Sequence, residues 1–255
     1  MTPRIHVDLP LVVGASFALP PSQSRHAQVL RLQPGDPLTL FNGCGGEWVA
    51  RVVQMSRTAV TVQVEATVDA DRELPRAITL ALGMPANERM DAFIEKATEL
   101  GAAAIQPLVC ERSVLRLAGE RAARRLEHWR GIAVAAAEQC GRTRVPRVEP
   151  VASLRTWLEA GAGSTAPAAP GSTAQRLLLS PRAATAWSSA MADAAQGALV
   201  VLSGPEGGLT AAEEDAVLGC GFVAVSLGRR ILRADTAPLA VLAWCGLALP
   251  IDRCA

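Results

Sequence analysis

The chain has 255 residues, half of them hydrophobic, a formal net charge of +1 and six cysteines. That length can bury a substantial core as one large or two small domains, and so small a net charge does not by itself announce a nucleic-acid binder. No apolar run reaches the roughly 20 residues of a membrane helix, and the first eight residues lack the apolar core of a signal peptide, so a cytoplasmic protein with no membrane partner is expected.

In the N-terminal part, apolar residues alternate with period two: Leu38 and Leu40, then Trp48, Ala50 and Val52, then Val60, Val62 and Val64. Alternation of this kind marks half-buried strands. Pro34-Gly35-Asp36-Pro37 and Gly43-Cys44-Gly45-Gly46 read as turns between them, and Ser24 to Arg31 as the single helical piece. Several short strands with one helix predict a small β-barrel. The charged run Asp69-Ala70-Asp71-Arg72-Glu73-Leu74-Pro75 has little to bury and is the expected domain boundary, dividing the chain into residues 1–72 and 76–255.

Beyond the boundary strands and helices alternate. Ile78 to Leu82 is a short apolar strand, and Asn87 is placed to cap a helix carrying Met90, Phe93, Ile94, Ala97 and Leu100 before Gly101 stops it. Ala104 to Val109 reads as a strand, about Gly119 to Cys140 as a long helix, Gly141 to Pro150 as a basic loop, and Ala160 to Gln175 as a flexible surface insertion. Strands over Arg176 to Leu179, Leu199 to Leu202 and Phe222 to Leu227, and a last helix from about Thr236 to Leu249, complete an α/β pattern. A mostly parallel sheet with helices on both faces is expected.

From Cys110 to Val148 nine arginines face four glutamates, a local excess of five, and Lys96 is the only lysine in the chain. Arginine forks onto phosphate and stacks on bases, which suits RNA; coding bias explains the preference for arginine over lysine but not the clustering. The cysteines (44, 110, 140, 220, 245 and 254) form no C-x-x-C pair and have no histidine at ligand spacing, so free buried thiols and no metal are expected.

Two strand-to-helix junctions concentrate the chemistry. Leu199–Leu202 runs into Ser203-Gly204-Pro205-Glu206-Gly207-Gly208, after which Thr210 and Glu213 form a capping box. Phe222–Leu227 runs into Gly228-Arg229-Arg230-Ile231-Leu232-Arg233-Ala234-Asp235 before the last helix. The carboxyl ends of strands in open α/β sheets are where ligands usually bind, so the two loops are expected to face one ligand. No Walker lysine, H-E-x-x-H or G-x-S-x-G motif is present, and Trp48 breaks the one glycine run that begins like a dinucleotide fingerprint. A backbone-lined cofactor cleft remains.

Gly204-Pro205-Glu206-Gly207-Gly208-Leu209, followed by Leu227-Gly228-Arg229-Arg230-Ile231-Leu232-Arg233 and Thr236-Ala237, resembles the signature of the RsmE family. These are SPOUT-class enzymes that methylate N3 of a uridine in 16S ribosomal RNA of the small subunit. The resemblance continues through Arg25-His26, Val29-Leu30-Arg31, Phe41-Asn42-Gly43, Glu95 to Gly101, Glu111-Arg112-Ser113, Ala137 to Arg142 and Val145-Pro146. It implies a PUA-like barrel, a trefoil-knotted methyltransferase domain, S-adenosyl-L-methionine (SAM) as cofactor, and a homodimer. Arg229 stands where the family usually has proline, and Ala234-Asp235 where it has Thr-Glu.

On that basis Leu179, Leu202, Gly204, Glu206, Gly207, Gly208, Leu227, Gly228, Ile231 and Leu232 are the expected cofactor residues. The glycines would let backbone approach adenine and ribose, their alternative being ordinary turns; leucines at strand ends are more often simply core, and only Ile231 and Leu232, in the polar loop, stand apart from that alternative. Methylation at N3 requires proton removal and stabilisation of the resulting charge. Glu206, Asp235 and Arg233 are the catalytic candidates, with capping of its own loop as the alternative for Glu206. Arg25, Arg31, Arg112, Arg142 and Arg233 are the expected RNA contacts, against the alternative of solvated arginines. The competing functions are a SPOUT enzyme acting at another RNA position and a non-catalytic RNA-binding protein.

Overall fold

A computed structural model describes residues 2–162, 174–192 and 197–247. The chain divides into two compact units, Met1–Glu73 with Val134–Val145, and Leu74–Ala133 with Pro146–Ala255.

The first unit contains β1 (Arg4–His6), β2 (Ser16–Ala18), α1 (Pro21–Val29), β3 (Pro37–Phe41), β4 (Glu47–Met55) and β5 (Val60–Val68). The strands lie in the order β1-β3-β4-β5-β2, with β1 parallel to β3 and the other pairs antiparallel. Period-two alternation gives this sheet its core: Leu38, Leu40, Ala50, Val52, Val60, Val62 and Val64 are buried together with Ile5, Val7 and Leu19, and Trp48 packs at the edge. Strands β1 and β2, three residues each, are too short to display a period, and the sequence does not reveal them. Helix α1 starts three residues before Ser24, because Pro21 at its first turn lacks an N–H that the helix could not have used. It stops at Leu30, and Arg31 leaves it in a left-handed conformation (φ 58°).

The boundary segment is not an idle linker. Arg72 bonds to Glu47 and to the Gly141 carbonyl, while Glu73 pairs with Arg142 and accepts from the Arg144 N–H. Arg4 also pairs with Glu47 and donates to the Arg142 carbonyl at 2.9 Å. Burial pushes the Glu47 pKa up, but the hydrogen bonds and charges of Arg72 and Arg4 outweigh it and hold the carboxyl below its ordinary value. Gly43-Cys44-Gly45-Gly46 is the turn expected, and it also docks a strand-like stretch: Gly45 N–H donates to Thr143 O (3.1 Å) and Val145 N–H to Gly43 O (3.1 Å). Gly43 has φ 77°, and a Cβ there would lie 3.1 Å from both His6 Nε2 and Val145 Cγ2. A linear division at residues 72–76 therefore omits residues 134–145, which fold with the first unit. Sequence adjacency concealed this, since their partners lie more than 65 positions away.

The second unit follows with β6 (Ile78–Gly83), α2 (Asn87–Glu99), β7 (Ala104–Val109), the greater part of α3 (Gly119–Cys140), β8 (Arg147–Val148), β9 (Ala152–Ser153), α4 (Leu154–Glu159), β10 (Gln175–Leu179), α5 (Trp187–Ala192), β11 (Leu199–Ser203), α6 (Ala211–Gly219), β12 (Val223–Val225) and α7 (Thr236–Leu247). All its strand pairs are parallel, in the order β12-β10-β11-β6-β7-β8, with β9 also on β7. On one face Ala81, Leu108, Leu178, Val200 and Leu202 pack with Leu154, Trp157 and Leu158 of α4 and Val217 of α6. Strand alternation turns Leu80, Leu177 and Val201 to the other face, where α7 packs on β11 and on α2.

Helix α2 has Ala86, not Asn87, at its N-cap, without a side-chain cap. The expected basic loop contains β8, and α4, absent from the sequence reading, is capped by Ser153 Oγ accepting from Thr156 N–H. The capping box of Thr210 and Glu213 on α6 is present as expected. Of the expected insertion, residues 163–173 lie outside the described residues, as do Ala248, Leu249 and Cys254. Cys110 and Cys245 are buried thiols, whereas Cys44 is exposed and Cys140 and Cys220 half-buried. Among the described residues no helix is long and apolar enough to cross a membrane.

Candidate active site

A cavity of about 550 Å³ opens at the carboxyl ends of β10, β11 and β12. Neighbouring parallel strands deliver three loops to it: Leu179–Arg182, Ser203–Leu209 and Ser226–Ala234. The volume falls in the range of small-molecule sites.

The loops are tied to one another. Ser203 Oγ donates to the Ala234 carbonyl (3.1 Å), joining the end of β11 to the arginine loop. The Arg233 carbonyl accepts from Thr236 and Ala237 N–H (3.0 Å each), so the same residue that presents a guanidinium opens α7. Arg112 Nη1 donates to the carbonyls of Gly207 (3.1 Å) and Leu209 (3.3 Å), bracing the glycine loop from the end of β7. Gly208 and Gly228 have φ of 68° and 112°, a backbone region that side chains disfavour, and a Cβ at either would meet nothing within 4 Å. They leave open backbone at the cavity wall.

Of the expected cofactor residues, Leu179, Gly204, Glu206, Gly207, Gly208, Leu227, Gly228, Ile231 and Leu232 all line this cavity. Leu202 does not. It is fully buried in the core under α4 and α6, because alternation along β11 points Ser203 toward the cavity and Leu202 away. Gly207 lines the cavity but its open side faces protein: a Cβ would sit 3.0 Å from Arg112 Cβ, so its small size serves the brace.

Among the catalytic candidates Arg233 and Glu206 line the cavity, and Asp235, half-buried, does not. Glu206 Oε1 lies 3.6 Å from Arg89 Nη1. Among the RNA candidates Arg25, Arg31, Arg112 and Arg233 are exposed. Arg142 is corrected: it is 4% exposed and its guanidinium is committed to Glu73, leaving no surface for a phosphate. Four more of the nine arginines between residues 110 and 148 are also paired, in Arg124–Glu120, Arg130–Glu127, Arg125–Asp91 and Arg147–Glu149. The local charge excess counted glutamates within the segment and missed Glu73, Asp91 and Glu149 beyond its carboxylates.

Several residues at the site escaped the sequence reading. Arg89, Arg182 and Ser180 line the cavity without any motif to flag them, and Ser203, the first residue of the expected glycine loop, is the last residue of β11 and lines the cavity too. Gly83, at the end of β6, is the tightest position: a Cβ would lie 2.5 Å from Pro205 N and 2.9 Å from Gly204 C. A glycine closing an apolar strand was the available signal.

Comparison with known proteins gives the chain its relatives. Residues 72–246 match the family model described as the RNA methyltransferase domain, and residues 19–65 the RNA methyltransferase PUA domain. Ribosomal RNA small subunit methyltransferase E of Synechocystis sp. is 35% identical, covering 95% of this chain and 77% of its own length, and that of Bacillus subtilis 33% identical, covering 89% and 88%. The crystal structure of ribosomal RNA small subunit methyltransferase E from Neisseria gonorrhoeae bound to S-adenosyl methionine superposes with a TM-score of 0.85 at 38% identity, over 96% of each chain. A putative methyltransferase of Legionella pneumophila in complex with bound SAM gives 0.86 at 30% identity, over 97% of this chain and 98% of its own. With two relatives above 30% identity across most of their length and a domain match over most of the second unit, this chain belongs to the RNA methyltransferase family, in the group of the ribosomal RNA small subunit methyltransferases E.

Proposed function

We propose that the chain transfers a methyl group from SAM to N3 of a uridine in 16S ribosomal RNA, acting as a homodimer in the cytoplasm. Its class, a SAM-dependent ribosomal RNA methyltransferase of SPOUT type with a PUA domain, follows from the family. The observation that carries the reading is the cavity at the ends of β10, β11 and β12, with open glycine backbone and leucines on its wall and Arg233 in its lining.

Leu179, Leu227, Ile231 and Leu232 supply apolar wall for an adenine, and the backbone at Gly204, Gly208 and Gly228 supplies the polar partners that a base and a ribose need. The bound cofactor supplies an electrophilic methyl group on a sulfonium. Loss of the uridine N3 proton to solvent water leaves an anion spread over the two flanking carbonyl oxygens. Arg233, which lines the cavity and whose carbonyl is fixed to the start of α7, would stabilise that charge. Of the two carboxylates, Glu206 alone remains at the cavity, and Asp235 is assigned no chemical step.

For RNA, Arg25 and Arg31 of the first unit are exposed, and among the described residues neither makes an ion pair. They fit phosphate contacts that position rather than specify. Support for a homodimer comes from α7, which exposes Trp244 (44%) and Leu247 (86%) one turn apart, with Ile231 (84%) in the loop before it. The test is mass spectrometry of 16S rRNA nucleosides, with position mapping, from a strain lacking this protein and from one complemented with it. A missing 3-methyluridine restored by the gene is expected; an unchanged 3-methyluridine content with another methyl mark lost would replace N3 by a different position.

A further inference from the structure

On the sheet face opposite α7, a second cavity of about 520 Å³ lies between α4 and α6. It shares no lining residue with the cavity at the ends of β10, β11 and β12. Its floor is apolar: Val109 of β7, Leu154 and Leu158 of α4, Ala212 and Ala216 of α6, and Cys220 just after that helix. Leu154 and Leu158 are buried in the core, whereas Ala212 and Ala216, one turn apart, are exposed. The groove stays open because those two exposed positions carry only a methyl group each.

Around this floor three carboxylates, Glu111, Glu159 and Glu213, stand against one guanidinium, Arg155, an excess of two negative charges. Arg155 Nε donates to Glu159 Oε1 at 2.9 Å, between side chains 88% and 62% exposed. Glu213 is fixed in place, accepting from the Glu111 N–H (2.8 Å) and the Thr210 N–H (2.9 Å), so its charge stays at the groove. The Ser153 hydroxyl is already shared with the N–H and hydroxyl of Thr156. Arg116 donates to the Glu111 carbonyl but lies outside the lining. A phosphate needs donors and positive charge, and here it meets an acidic excess, so this face repels RNA. An apolar side chain flanked by lysine or arginine is matched to both floor and rim.

We propose that the groove between α4 and α6 docks a basic segment of a protein bound to the ribosomal RNA, with an apolar side chain seated on the floor and its Lys or Arg neighbours facing Glu111 and Glu159. The choice of partner rests on the reading of 16S ribosomal RNA as substrate. Proteins that coat a polyanion carry an excess of Lys and Arg to neutralise its phosphates, and an acidic rim steers such surfaces into encounter. A cavity of this size seats one or two side chains, far less than a stable interface of about 800 Å² per partner. The groove therefore adds a second point of attachment to a complex held mainly through RNA, where a weak contact gains from being intramolecular.

Equilibrium binding to small ribosomal subunits from a strain lacking this protein, and to protein-free 16S rRNA, tests it. Ala216→Trp, which puts an indole into the groove, should weaken subunit binding about tenfold and leave binding of protein-free rRNA within about twofold. Arg155→Ala removes the one cation of the lining and should tighten subunit binding by roughly two- to fivefold at low salt, and Glu159→Lys should weaken it by a similar factor. Unchanged affinity for S-adenosylhomocysteine certifies the fold of each variant; should Ala216→Trp lose it, the two charge variants, both on the exposed surface of α4, decide. An Arg155→Ala protein that binds subunits and protein-free rRNA more weakly alike would make this face an RNA contact and overturn the proposal. So would subunit affinities that none of the three variants changes. A wild-type chain that binds neither subunits nor rRNA would remove the ribosomal RNA reading itself, and the partner with it.

Discussion

Replacing Gly83 by alanine tests how the cavity is built, with one added carbon. The new Cβ would lie 2.5 Å from Pro205 N, 2.6 Å from Pro205 Cδ and 2.9 Å from Gly204 C. All three atoms belong to a proline ring or to backbone, so no flexible side chain can swing aside. Ordinary contact begins near 3.4 Å, and the end of β6 and the Gly204–Pro205 loop must part by about 0.9 Å, the difference from the 2.5 Å approach. Gly83 does not hold the left-handed backbone conformation, so the cost is one of contact alone. Overpacking of this order costs about 1–3 kcal/mol, which at about 2–4 °C per kcal/mol lowers the melting temperature by several degrees. Because the displaced loop is a cavity wall, affinity for S-adenosylhomocysteine should fall as well, by roughly tenfold to a hundredfold, in line with the cost of about 1 Å of misplacement. Gly131→Ala is the control: it sits inside α3 with nothing within 4 Å of its Cβ and should gain about 0.5–1 kcal/mol. The measurements are thermal unfolding and calorimetry on both variants. A Gly83→Ala protein with wild-type melting temperature and wild-type affinity would show that the two loops are not held together by this approach.

Three further outcomes are expected. Arg233→Ala should lower kcat by about two to three orders of magnitude with S-adenosylhomocysteine affinity nearly unchanged; a loss confined to cofactor binding would move Arg233 from the reacting base to the cofactor. Arg25→Ala combined with Arg31→Ala should flatten the salt dependence of rRNA binding by up to about two units of slope, without altering cofactor affinity; an unchanged slope would leave these arginines merely solvated. Glu47 has a folded pKa below its ordinary value, so its contribution is fully present above the unfolded carboxyl pKa of about 4.3 and is lost as pH falls through the folded value. Urea unfolding followed from pH 6 down to pH 3 should therefore show a decline in wild-type stability that is shallower in Glu47→Gln, and parallel curves would deny the carboxylate that role.

The sequence displays local physics well and long-range pairing poorly, and the differences at this site follow that line. Alternation in β3 to β5, the capping box of Thr210 and Glu213, and the glycine loops after β11 and β12 are each decided within a few residues, and each is legible. Arg142 reads as an RNA contact because its sequence neighbours are basic, whereas its fate is decided by Glu73, 69 positions away. Leu202 reads as a cavity residue because it ends an apolar run, but in a parallel sheet covered on both faces the run Leu199–Leu202 is apolar throughout, so the pattern does not say that Leu202 faces α4 and α6. Gly207 is the instructive case. It lies in the glycine run that betrays the site, and it lines the cavity, yet the atoms that demand its small size belong to Arg112. A larger residue there should thus act through the brace, and removing the obstructing side chain beyond Cβ would not clear the 3.0 Å approach, which is to Arg112 Cβ itself. Gly207→Ala combined with Arg112→Ala should accordingly lose cofactor affinity at least as strongly as Gly207→Ala alone, whereas a double variant restored to wild-type affinity would mean that the long arm of Arg112, not the close approach of its Cβ, keeps residue 207 a glycine.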